Sequence, residues 1–365
     1  MRGVVVATAV WSVIAAALWL AFEGGYALVR WSKPDRSIAY SLVSGRSEAK
    51  AAEQGVFPVA AKSELEAIIP ELVAAGGGMG NVPYRKQMDE RNSINDVDDK
   101  ECLTSRPNLR KLTSYVRNAD FNRFDPPSMF YNADAKLPPA LAAFVGKYAV
   151  NLAAYSTNGN GERLTLPEVA RPAKALVAGD SVAVGVMLDD KDTISSQLQR
   201  ADEAVQYVSI GASGSTASQN LCRLEKALKR YPGQVARIIY VYCENDFRKD
   251  EAFGTPQAVV EALGRLAAEH RVAKVAVVYA PYIYNVLPHL TRIEGTRGGA
   301  HPVYAREAKA LRELATAKGW LYIDIADLAR QEIEDRKTDF AALALFLDHT
   351  HLSEYGTAKL VSKLR

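Results

Sequence analysis

The chain has 365 residues, 48% of them hydrophobic and 24% charged, enough to bury a large core and to carry further elements beside it. Its 45 Lys and Arg against 42 Asp and Glu leave a net charge of +3, which excludes the strongly basic footprint of a nucleic-acid binder. Cys102, Cys222 and Cys243 form no C-x-x-C pair, so the chain has no zinc or redox motif, and their odd number argues against a disulfide framework.

The first element is Gly3–Phe22, an uncharged run of 20 residues preceded by Arg2 and closed by Glu23. A bilayer span needs about 20 apolar residues, whereas the apolar part of a signal peptide runs about 7–15. Residues 1–36 therefore read as an uncleaved single-pass membrane anchor with its flank. Arg30, Lys33 and Arg36 follow the span and only Arg2 precedes it, so the positive-inside count leans against export of the body that follows.

Residues 37–157 show no clean periodicity and read as a membrane-proximal spacer or accessory lobe. Ser63–Ala75 predicts a helix with Leu65, Ile68, Ile69 and Leu72 on one face, which Pro70 kinks or splits. Gly76-Gly77-Gly78 ends it, and Met79-Gly80 prolongs the break. The region then holds an acidic cluster and the aromatics Phe121, Phe124, Phe130 and Tyr131.

From about Thr165, strand and helix signals alternate, which predicts a parallel sheet covered on both faces. The strands are Ala175–Ala178, Tyr207–Ile210, Arg237–Tyr242, Lys274–Ala280 and Trp320–Asp324. The helices are Asn220–Tyr231, Pro256–His270, Val303–Lys318 and Glu354–Leu364. Together they make a three-layer α/β domain over residues 158–365.

Open α/β sheets hold ligands at the carboxyl ends of their strands, and chemistry collects there. The first strand ends in Gly179-Asp180-Ser181 and the second in a glycine-rich turn, Gly211-Ala212-Ser213-Gly214. The third ends in Cys243-Glu244-Asn245-Asp246, and Asp348-His349-Thr350-His351 precedes Ser353, the expected cap of the last helix. A serine hydroxyl becomes a nucleophile when an imidazole takes its proton, and a carboxylate fixes the tautomer that allows this. His349 is the decoy beside His351. His270, His289 and His301 read as solvent-exposed, Cys243 as packing, and Asp189, Asp190 and Asp192 as a solvated loop. Tyr279, Tyr282 and Tyr284 either line a pocket or pack in the core.

These blocks, in this order, resemble the SGNH (GDSL-like) hydrolases. Asn158-Gly159-Asn160-Gly161-Glu162-Arg163 is also similar to a segment that precedes the serine block in anchored or exported members. The resemblance implies a flavodoxin-like sheet, with Ser181 as nucleophile, His351 as base and Asp348 as its orienter. It further implies an oxyanion hole of the Ser181 and Gly214 backbone N–H groups and the Asn245 side chain, with no metal and no cofactor. Two departures stand out. Cys243 and Glu244 occupy the turn where many relatives carry a glycine two residues before the Asn. The serine also lacks the second glycine of G-x-S-x-G, which sets it apart from an α/β-hydrolase elbow.

The implied activity is removal or transfer of an O-acyl group, acetyl in the simplest case, on a cell-envelope glycan or lipid. The implied place is the inner membrane, with the catalytic body periplasmic. A lysophospholipase or thioesterase, and a degenerate domain that only binds glycan, are the alternatives; four intact site residues argue against the last.

Overall fold

The computed structural model describes residues 60–80, 93–95, 101–116, 128–149, 152–244, 246, 254–287, 302–338 and 340–365. The Gly3–Phe22 run lies outside them, and among the described residues no helix is long and apolar enough to cross a membrane.

In chain order the amino-terminal lobe contains α1 (Lys62–Ala74), β1 (Gly78–Gly80), β2 (Arg110–Tyr115), β3 (Ser128–Asn132), α2 (Pro139–Tyr148) and β4 (Ala153–Ser156). Its strands form an antiparallel sheet in the order β1-β3-β2-β4. Pro70 sits inside α1 without splitting it. Leu65, Ile68 and Leu72 pack with Met129, Tyr131, Leu141 and Phe144 as the core of this lobe. Gly78–Gly80, expected to prolong a break, instead pairs with Ser128–Phe130. A glycine-rich strand has little propensity of its own, so its neighbour's ladder decides its conformation.

The carboxy-terminal part continues with β5 (Lys174–Gly179), α3 (Ser181–Val184), α4 (Ile194–Ala201), β6 (Gln206–Ser209), α5 (Ala217–Arg230) and β7 (Val235–Cys243). Then come α6 (Pro256–Glu269), β8 (Lys274–Ala280), α7 (Ile283–Val286), α8 (Pro302–Ala317), β9 (Leu321–Asp324), α9 (Ile325–Arg336), α10 (Phe340–Leu343) and α11 (Glu354–Leu364). The strands form one parallel sheet in the order β6-β5-β7-β8-β9. This is the expected flavodoxin-like order, with its topological switch point between β5 and β7.

Successive side chains on a strand point to opposite faces, and the core divides accordingly. Ala175, Val177, Ile239, Val241, Ala276 and Val278 pack on one face against α4, α9 and α11. Leu176, Ala178, Ile238, Tyr240, Val275 and Val277 pack on the other against α5, α6 and α8. The three layers are therefore visible residue by residue.

The described residues, from Ala60 to Arg365, belong to one compact unit. A fourth apolar cluster joins the two sheets: Tyr115 and Tyr155 of the antiparallel sheet meet Val184 at the end of α3, Val186, Met187 and Leu188 just after it, and Leu347. Cys102 and Cys222 are disulfide-bonded across 120 residues, which corrects the expectation drawn from their odd number. Cys243 is the buried free cysteine left over.

Candidate active site

Ser181 is the first residue of α3, directly past the end of β5, and is 6% exposed. Asp180 caps the helix by accepting from the Val182 N–H at 3.0 Å, and the Ser181 hydroxyl donates to Asp180 Oδ2 at 3.3 Å. The turn after β6 lies against this corner. A Cβ on Gly211 would stand 2.7 Å from the Val184 nitrogen, so only glycine allows the approach. Gly214 serves differently: its φ is +75°, and a Cβ there would meet nothing within 4 Å, so it faces open space.

The loop between α10 and α11 supplies the histidine. Ser353 Oγ accepts from the Gly356 N–H at 3.0 Å and donates to the Ala344 carbonyl at 2.6 Å, which makes it the cap of the last helix as expected. Leu352 is buried beneath it. Asp348 Oδ1 accepts the Thr350 and His351 backbone N–H groups at 2.8 Å each, folding the loop back on itself. That fold brings His351 Nδ1 to 2.7 Å from Asp348 Oδ2. His349 Nδ1 stands 3.9 Å from Oδ1, and its ring meets the edge of Tyr282 instead, at 5.1 Å between centroids. Of the two histidines, His351 is therefore the one the structure brings within hydrogen-bond distance of Asp348.

Asp348 is fully buried. Burial alone pushes its carboxyl up, but the charges of His351 and His349 and the hydrogen bonds from His351 and Tyr115 outweigh it. They hold Asp348 well below the usual carboxylate range. A carboxylate that stays ionised keeps Nδ1 protonated and turns Nε2 into the basic nitrogen.

The histidine loop lies over the strand ends. The His349 carbonyl accepts the Ile283 N–H at 2.7 Å, just past β8, and Thr350 Oγ1 is 3.4 Å from Cys243 Sγ at the end of β7. Leu347 packs with Val184, the last residue of the helix that starts with Ser181. Ser181, Gly214, Asp348 and His351 therefore share the carboxyl edge of the sheet.

Asn245 lies outside the described residues, while both its neighbours are anchored. Glu244 accepts from Tyr279 Oη at 2.8 Å and from Asn285 Nδ2. Asp246 accepts the Cys243 N–H at 3.0 Å and Asn220 Nδ2 at 3.1 Å. Glu244, which follows Cys243 in this turn, is a buried brace, and Tyr279 is its partner and not a pocket wall.

Three residues that sequence reasoning gave no role organise the site. Arg163 closes the Asn158–Arg163 segment and is fully buried. It pairs with Asp190 Oδ1 at 2.8 Å and donates to the Val184, Gly185, Leu188 and Ala154 carbonyls. Asp190 is thus a buried partner, not part of a solvated loop. Asp192, two residues on, is pushed up to about 6, by burial first and then by the charge of Glu354. Arg223 donates to the Gly179 and Ile210 carbonyls, to Ser215 Oγ and to the Cys102 and Leu103 carbonyls. It therefore ties β5, the glycine turn and the amino-terminal lobe together. Burial pushes its guanidinium down to about 10, still charged at neutral pH. Tyr115 is the third, and its hydroxyl donates to Asp348 Oδ2 at 2.5 Å.

No family model matches the chain, and no curated protein matches it either. Among solved structures, a lipolytic G-D-S-L family protein from Veillonella parvula is 14% identical, with a TM-score of 0.39 over 52% of this chain and 95% of that one. A carbohydrate acetylesterase family member from Sinorhizobium meliloti is 18% identical, with a TM-score of 0.38 over 53% and 95%. A catalytic mutant of an acetylxylan esterase from Geobacillus stearothermophilus is 15% identical, with a TM-score of 0.39 over 54% and 94%. What the chain is similar to, over about half of its length, is thus a set of G-D-S-L family lipolytic proteins and acetylesterases.

Proposed function

We propose that this chain is a serine ester hydrolase that works through an acyl-enzyme. The observation that carries the reading is the buried, ionised Asp348 at 2.7 Å from His351 Nδ1, on the sheet edge that also presents Ser181. His351 Nε2 takes the Ser181 proton as Oγ attacks the ester carbonyl carbon. The same proton passes to the leaving alcohol when the tetrahedral intermediate collapses. Water then repeats the sequence and releases the acid; another alcohol in place of water gives acyl transfer. The oxyanion is held by the backbone N–H groups of Ser181 and Gly214 and by the Asn245 side chain, donors worth about 3–4 kcal/mol each when removed one at a time.

The substrate in this reading is an O-acyl group of acetyl size on a cell-envelope glycan or lipid. Two features support the location. The Gly3–Phe22 run has the length of an anchor, and the Cys102–Cys222 disulfide suits an oxidising compartment outside the cytoplasm. The decisive experiment combines a fluorophosphonate probe with a panel of p-nitrophenyl esters of rising chain length. Ser181→Ala is expected to lose both labelling and hydrolysis while staying folded. Label that persists on Ser213 or Ser215 overturns the assignment, and turnover that rises with chain length moves the substrate to lipids. Alkaline phosphatase fused after Arg365 is expected to be active in a bacterial host; an inactive fusion reverses the orientation.

A further inference from the structure

We propose that Tyr115, carried by the antiparallel sheet, is a positioning residue of the triad, its hydroxyl holding the carboxylate that orients His351. This rests on the serine-hydrolase reading above and extends the active site into the amino-terminal lobe.

An ionised carboxylate offers about four lone-pair sites, and in Asp348 all four are filled. Oδ1 takes the Thr350 and His351 backbone N–H groups; Oδ2 takes His351 Nδ1 and Tyr115 Oη. Three of these donors come from the Asp348 loop itself and only Tyr115 comes from outside it, 233 residues away in sequence. Of these donors, the phenol is the one that ties the carboxylate to the rest of the protein. Tyr115 Oη also lies 3.2 Å from His351 Nδ1, so it touches both members of the pair.

The phenol is itself held. Tyr115 is 1% exposed at the end of β2, and its ring packs with Tyr155, Val184 and Leu347. Behind it, Tyr155 Oη bonds Ser105 Oγ at 3.1 Å, and the Arg163 guanidinium stacks on the Tyr155 ring at 4.0 Å. The other titratable groups around the pair are His349 beside Asp348, Tyr282 against His349, Cys243 against Thr350, Asp180 beside Ser181 and the Arg163–Asp190 ion pair. Among the contacts described for Asp348, none of these but Tyr115 donates a hydrogen bond to Oδ2 besides His351.

The sign of the effect follows. A phenol O–H draws charge from Oδ2 and moderates its pull on the imidazolium formed in the transition state. Without that bond Oδ2 is more basic, His351 keeps its proton to higher pH, and the carboxylate is less tightly aimed.

Tyr115→Phe keeps the ring and removes the bond. The acid limb of the kcat/KM profile is expected to move up by about half a pH unit, as a lost partner of a neighbouring charge requires. The expected loss in kcat is about tenfold, the worth of one charge-assisted bond, with KM changed by no more than about twofold because Tyr115 does not meet substrate. Fluorotyrosine at position 115, a more acidic phenol of nearly the same shape, is expected to move the limb the other way, and it decides the matter if the Phe variant folds poorly. A ring-proton NMR titration of His351 in the folded protein reads the same shifts without turnover. Superimposable titrations for wild type and both variants, or a loss confined to KM, overturn the proposal. Shifted titrations in a protein that neither hydrolyses esters nor takes the fluorophosphonate overturn the enzyme reading and leave the role of Tyr115 standing.

Discussion

Asp348→Asn is the sharpest perturbation the site offers, because it changes one atom's chemistry and almost no volume. In the wild type, Oδ2 accepts two hydrogens, from Tyr115 Oη at 2.5 Å and from His351 Nδ1 at 2.7 Å. The variant can keep Oδ1 on the two backbone N–H groups only by turning its amide toward Tyr115 and His351. Nδ1 must then accept, which places the proton on Nε2 and removes the base. The loss is expected to reach about four orders of magnitude in kcat, the cost of a wrong tautomer in such a triad, with KM nearly constant because Asp348 is fully buried. Steady-state hydrolysis of p-nitrophenyl acetate measures it. Wild-type kcat/KM is expected to rise with pH as His351 loses its proton, and the residual rate of the variant to lose that rise. Stability follows a separate curve. The folded carboxyl lies below its ordinary value of 3.8, so its contribution is complete above that value and is lost as pH falls through the depressed one. Urea midpoints of wild type and variant are therefore expected to differ at neutral pH and to converge only in strong acid. A variant that keeps more than about a tenth of wild-type kcat refutes the tautomer argument, since such a loss is only what one hydrogen bond accounts for.

Arg223→Met strips a buried cation from carbonyls on three segments, and breaking such a network is expected to cost roughly 3–5 kcal/mol in urea unfolding; a cost under about 1 kcal/mol, the worth of a single ordinary bond, contradicts its role as a tie. Asp192 has a folded value raised from 3.8 to about 6, so its ionisation weakens the fold as pH rises through that window and the penalty is constant above it. Asp192→Asn is accordingly expected to raise the melting temperature at pH 8 and to change it far less at pH 4, and an equal change at both values removes electrostatics as the cause.

The parallel sheet was legible because its strands alternate cleanly between two buried faces, and because glycine, serine and histidine mark the ends of its elements. Lys274–Ala280 and Glu354–Leu364 have the bounds the sequence predicts. α4 was missed for a physical reason: only Ile194 and Leu198 join the apolar core, while it also buries Ser195, Ser196, Gln197 and Gln199, which hydrogen bonds hold. Ser196 Oγ donates to the Asp190 carbonyl at 2.5 Å, and Gln199 Oε1 accepts the Tyr207 N–H at 2.9 Å. The antiparallel sheet was missed because β2 reads Arg-Lys-Leu-Thr-Ser-Tyr, with polar residues on its buried positions. Lys111 is satisfied there by the Gly76 carbonyl and Asn132 Oδ1, partners no local pattern announces. Counting cysteines failed because parity says nothing about which two meet; Cys102 and Cys222 do so through the fold. Of the site, the Asp348–His351 spacing carried its own geometry, while Tyr115 had no sequence signal beyond a short β-prone run.

The buried ties between the two sheets lead to a last prediction, for a chain that begins at residue 158. Such a chain keeps the parallel sheet, Ser181, Gly214, Asp348 and His351, and by the spacing of its motifs it looks complete. It loses the Tyr115 donor to Asp348 and the Asn95 Nδ2 donor to the Ser213 carbonyl. It loses the Ala154 carbonyl that Arg163 needs and the Cys102 and Leu103 carbonyls that Arg223 needs. It loses the Ser156 N–H that Asp190 accepts, and it uncovers Val184, Val186, Met187, Leu188 and Leu347. Each buried polar group left without a partner costs about 1–3 kcal/mol, so the sum is comparable to the roughly 5–15 kcal/mol that holds a typical domain together. The shortened chain is therefore expected to lack a cooperative melt, and to turn over p-nitrophenyl acetate far more slowly than residues 37–365 expressed as one body. Circular dichroism melting and steady-state kinetics on both lengths decide it. A soluble, cooperatively melting fragment with the kcat of the longer chain would show that the catalytic edge is self-sufficient and that the antiparallel lobe only sits beside it.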